Sequence, residues 1–100
     1  TAYRELAKGL VSVDKASALQ AMDKVISMEA VPQVDSHLNR AGLYLDGKQY
    51  AEAIRDYEIC LKLMPKSRIA LEGIILAHDG AGETEVAARY QRRLQALGPP

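Results

Sequence analysis

The sequence predicts an all-α chain built from paired helices, and three observations carry that prediction. Apolar residues recur at intervals of three and four over most of the 100 residues, the spacing that lines up one face of a helix. Pro32, Pro65 and Pro99 stand 33 and 34 residues apart. Each follows a segment with that periodicity, where a residue with a locked φ and no N–H commonly marks a helix end. Ala18, Ala53 and Ala87, 35 and 34 residues apart, keep the same beat near the start of successive helical segments. A fixed period of about 34 residues is the signature of stacked supersecondary units. It divides one domain into three units, 1–33, 34–67 and 68–100, with about six helices between them.

In the first unit Tyr3, Leu6 and Leu10 share one helix, Ser12-Val13-Asp14 make a turn, and Ala18, Leu19, Met22, Val25 and Ile26 line a second helix. Asp14 is a suitable N-cap, because its carboxylate can accept from the free N–H groups of the first turn. In the middle unit Leu38, Ala41, Tyr44 and Leu45 follow helical spacing up to Asp46-Gly47. Gly47 is expected to take the left-handed conformation that ends a helix. Tyr50, Ala53, Ile54, Tyr57, Cys60, Leu61 and Met64 then form a second stripe that runs to Pro65. Helices joined by so short a turn pack antiparallel. In the third unit Ile69 to Ala77 form an apolar helix, Gly80-Ala81-Gly82 break it, and Val86, Ala87, Tyr90, Leu94 and Leu97 make the last stripe before Pro99.

Composition narrows the classes of function. Charged residues split 13 to 13, so no global field draws the chain to nucleic acid or to an anionic membrane. Five tyrosines with no Phe or Trp leave little material for stacking single-stranded bases. The lone Cys60 cannot close an internal disulfide, and two histidines without neighbouring cysteines do not make a zinc site. No apolar run approaches the ~20 residues that span a bilayer. A chain that starts at Thr1 and not at Met predicts a piece of a larger protein, so a removed signal or anchor stays open.

Tyr44, Tyr50, Ala53, Tyr57 and Pro65, with Asn39-Arg40-Ala41, resemble the tetratricopeptide repeat. The resemblance implies a right-handed superhelical stack of antiparallel helix pairs, an α-solenoid. In it Ala41 and Ala53 let the two helices of a pair approach, the three tyrosines fill the hairpin and the seam to the next repeat, and Cys60 occupies a small site. The unit after Pro65 resembles the family through Ile75, Ala87, Leu94 and Pro99, and departs from it at His78, where a tyrosine is usual. The first unit is the most degenerate, keeping Ala18, Val25 and Ile26 but with Gly9 or Leu10 at the aromatic site.

Catalytic and metal sites are not expected. His78-Asp79 is the best pair on offer, but neighbouring helical residues point in different directions, and the register puts His78 inside a hairpin as a packed or capping residue. Cys60 lies on an apolar stripe with no His at helical spacing, which describes a small buried thiol. Gly80-Ala81-Gly82-Glu83 lacks the strand and the Lys-Ser/Thr of a phosphate loop. Arg89, Arg92 and Arg93 could hold an acidic partner or form a solvated face suited to the helix dipole. Glu52, Arg55, Asp56, Glu58 and Lys62 read as mixed charges on an outward face. No cofactor is implied.

The resemblance implies that the first helix of each pair lines a concave groove for a protein or peptide segment. Its groove positions fall on Leu38, Asn39, Gly42 and Leu45 in the middle unit, on Ile69, Glu72, Gly73 and Leu76 in the last, and on Tyr3, Arg4 and Ala7 in the first. Some family members clamp the C-terminal carboxylate of heat-shock chaperones with basic residues and an asparagine. Asn39 matches one such position, but Ile69 and Gly73 replace the basic ones, so that clamp is not expected. The competing reading is a structural scaffold. No polar capping helix follows Pro99, so the array would stack on neighbouring repeats or on its own copy as a homo-oligomer.

Overall fold

The computed structural model describes residues 16–99. The readings placed on Tyr3, Arg4, Leu6, Ala7, Gly9, Leu10 and Asp14 lie outside the described residues. Five helices lie among the described residues: α1 over residues 16–27, α2 Val34–Asp46, α3 Tyr50–Leu63, α4 Arg68–Gly80 and α5 Thr84–Ala96. No strand occurs among the described residues, so the chain is all-α there.

The two hairpin turns are built alike. After α2, the Lys48 N–H donates to the Leu45 carbonyl and the Gln49 N–H to the Tyr44 carbonyl. After α4, the Gly82 N–H donates to Asp79 and the Glu83 N–H to His78. This is the Schellman pairing, which closes free carbonyls by turning one residue left-handed. That residue is Gly82 (φ 82°) in one turn and Lys48 (φ 61°) in the other. Gly47 does not take the expected left-handed role: its φ is −85°. The helix end, not the glycine, decides which residue must turn. Of the four N-termini from α2 to α5, only that of α4 has a side-chain cap, Ser67 Oγ accepting from the Ala70 N–H.

Consecutive helices from α2 to α5 pack antiparallel, and α2 also lies against α4. The core joins Ala41, Ala53, Tyr57, Cys60 and Leu61 to Ala70, Leu71, Ile74 and Ala77. Five of these nine are Ala or Cys, and small side chains let helix axes close up. At the seam of α3 on α4, Tyr50 lies on Gly80 and Tyr57 on Gly73. The two tyrosines are seven residues apart, as are the two glycines, so two helical turns are held in register by ring-on-glycine contacts.

Gly73→Ala should therefore destabilise the chain by about 2 kcal/mol in urea unfolding, because a Cβ would overlap the Tyr57 ring and overpacking outweighs alanine's better helix propensity. No loss, or a gain, would show that the ring moves aside freely. Lys48→Gly should add roughly 0.5–1 kcal/mol by relieving the left-handed Cβ, and Lys48→Ala should add nothing; equal effects from the two would exclude backbone strain as the cause.

Candidate functional site

Helices α2 and α4 are in contact, and the most exposed apolar side chains of the two are both on α4. Ile69 and Leu76 are 67% and 59% exposed and stand two turns apart on α4, with the exposed Glu72 between them. From α2, Asn39 is exposed, while Leu38 and Leu45 are half-buried and pack against the core. Gly42 opens onto free space where a Cβ would project. Seven of the eight positions in units two and three thus leave some surface to solvent.

Gly73 is the exception and corrects the expectation that it faces a groove. It is buried beneath Tyr57. At about 100° per residue, positions 69, 72, 73 and 76 span about 100° of the helix circumference. Gly73 is the edge of that arc nearest α3, so the seam takes it.

A polar cluster joins α1, α2 and α3, and Asp56 is its centre. Asp56 was expected on an outward face, but it is only 1% exposed. Its Oδ1 accepts from His37 Nδ1 at 3.0 Å and from Arg40 Nη2 at 2.8 Å, and its Oδ2 accepts from Arg40 Nε at 2.8 Å. A carboxylate only accepts, so the His37 proton on this side sits on Nδ1. Arg40 Nη1 reaches Asp23 Oδ1 on α1 at 3.0 Å. Hydrogen bonding to Asp56 raises the Arg40 pKa further above its ordinary value, so this side chain stays a cation. The cluster pins α1, α2 and α3 together. One sequence signal pointed to its burial: Asp56 falls between Ala53 and Cys60 on the apolar stripe, three residues after the one and four before the other.

Cys60, Tyr57 and His78 are enclosed. Cys60 is fully buried, and burial pushes its thiol up to about 11, so it is protonated at neutral pH. Its Sγ donates to the Val34 carbonyl. Burial likewise raises Tyr57 and Tyr44 above the usual phenol range. His78 is buried, as its register implied, and its ring stacks on Tyr90 with centroids 5.6 Å apart. Its Nδ1 lies 3.4 Å from Glu83 Oε1 without hydrogen-bond geometry, and Asp79 points away to solvent. Among the described residues no group of three His, Cys, Asp or Glu side chains could hold a metal ion, and no helix is long and apolar enough to cross a membrane.

The two ends of the polar cluster should respond differently to substitution. Asp56→Asn should cost about 3 kcal/mol or more in chemical unfolding, since it strands a partly buried guanidinium. Asp23→Asn should cost under about 1 kcal/mol, because that carboxylate is half in water. Equal losses would mean that Asp56 is not the centre of the tie. Comparison of the chain with protein-family models, curated proteins and solved structures finds no match.

Proposed function

We propose that this chain is a tetratricopeptide-like α-solenoid segment that binds a protein or peptide segment along the α2–α4 face. The repeat reading is supported by the turns: Lys48 and Gly82, the two left-handed residues of matched Schellman turns, are 34 residues apart. It is also supported by packing. Helices α2 and α4 touch while α3 and α5 stand apart, which is the asymmetry of a stack curved toward its first helices.

The observation that carries the binding reading is the exposed pair Ile69 and Leu76. Two large aliphatic side chains two turns apart on α4, next to α2 with its half-buried Leu38 and Leu45 and the bare backbone at Gly42, can receive an apolar segment pressed close to α2. Burial of each should contribute about 1.5 kcal/mol, roughly tenfold in affinity. Asn39 and Glu72 supply polar edges that orient such a segment.

Peptides selected against the chain from a random display library should be aliphatic-rich and should bind the Ile69→Asp/Leu76→Asp variant at least tenfold more weakly. Both side chains are exposed, so the variant should keep its circular dichroism and unfolding midpoint. Selected peptides that bind variant and parent equally would refute the groove. Sedimentation that shows a dimer abolished by the same double change would replace it with self-association.

A further inference from the structure

A second surface lies between α3 and α5, away from the Ile69–Leu76 pair. Because these helices stand apart, they leave a cleft made of two adjoining hollows. One, of about 240 Å³, is lined from α3 by Glu58, Leu61 and Lys62 and from α5 by Tyr90 and Arg93. The other, of about 260 Å³, continues along α5 past Val86 and Arg89, with Tyr90 and Arg93 common to both.

Three cations and one anion line this cleft. None of Lys62, Arg89 or Arg93 is ion-paired among the described residues. The whole chain is neutral, so the excess is local and at physiological salt acts over about 8 Å. Arg93 is held in place. Its guanidinium lies 5.3 Å from the Tyr90 ring centroid and donates to the Pro65 carbonyl at 3.4 Å. Tyr90 is backed in turn by the buried His78 ring. A fixed guanidinium beside a second arginine one turn earlier suits paired carboxylates. The part-exposed Val86 and Tyr90 add apolar wall between the charges.

We propose that this cleft is a docking site for a short acidic segment of a partner protein, carboxylates on Arg89, Arg93 and Lys62 and an aliphatic side chain against Tyr90 and Val86. Glu58 and the absence of net charge work against a continuous polyanion such as nucleic acid. The site is independent of the α2–α4 face.

The test is a titration of ¹⁵N-labelled chain with the capped peptide acetyl-Glu-Glu-Leu-Asp-Glu-amide, with its Gln/Asn counterpart and with an oligothymidylate. The acidic peptide should shift the amides of Lys62, Arg89, Tyr90 and Arg93 saturably, and its apparent Kd should rise several-fold between about 25 and 150 mM salt. The uncharged peptide should leave them unmoved. Lys62→Glu/Arg89→Glu should weaken the acidic peptide at least tenfold, and Lys62→Gln/Arg89→Gln should do so in part, both at exposed sites where spectral dispersion checks the fold. Ile69→Asp/Leu76→Asp should change nothing, which separates this site from the groove. No cleft shifts at millimolar peptide, equal shifts from the uncharged peptide, or tighter binding of the oligothymidylate would each overturn the proposal.

Discussion

The rest of the structure depends on the contact of two tyrosine rings with two glycines. Tyr50 on Gly80 and Tyr57 on Gly73 set both the spacing and the rotation of α4 against α3. Helix α4 also packs on α2 and α5, and seven of its thirteen residues are buried, so its rotation decides what every other helix meets. With Gly73 turned under α3, the arc that contains Ile69, Glu72 and Leu76 is left outside the seam. The same rotation brings His78 against Tyr90 on α5. The apolar face and the floor of the basic cleft are thus two consequences of one packing choice. Neither could be moved without the other.

What the sequence made legible follows from how local each signal is. Helix positions were readable because period and proline punctuation are properties of a single segment, and α2 to α5 fall between the breaks at Pro32, Asp46-Gly47, Pro65, Gly80-Ala81-Gly82 and Pro99. The left-handed residue after α2 was displaced by one, because a rule about residue type met a position set by hydrogen-bond closure. Lys48 accepts the strain that Gly47, with its negative φ, does not. Gly73 was misplaced because the groove stripe and the seam stripe are neighbours on one helix, and no window of sequence shows where a second helix begins to cover the first.

Asp56 was the larger error, and its cause is physical. A carboxylate in a helix among Arg55, Glu58 and Lys62 has the pattern of a solvated face. Burial becomes tolerable only through three donor contacts from His37 and Arg40, which stand 19 and 16 residues earlier in the chain. An ionised group without such partners would be excluded from the interior by its desolvation cost. The compensation is pairwise and lies between helices. The segment that holds the acid shows its register, between Ala53 and Cys60, but not the donors that make burial tolerable.

The arginines of α5 raise the opposite question, whether a charged cluster at a helix surface means anything beyond solvation. The helix dipole accounts for their distribution along the axis: Glu85 stands in the first turn and Arg93 in the last, each at its favourable pole. It does not account for their distribution around the axis. Arg89 and Arg93 are one turn apart and line the same cleft, on a stripe flanked by Val86 and Tyr90, while Lys62 approaches from α3. A face meant only for water would gain by pairing a cation with the one carboxylate of this helix, Glu85. Glu85 is placed four residues before Arg89 and yet makes no ion pair with it among the described residues. Cations left unpaired around the Tyr90 ring are the groups that the proposed acidic segment would neutralise.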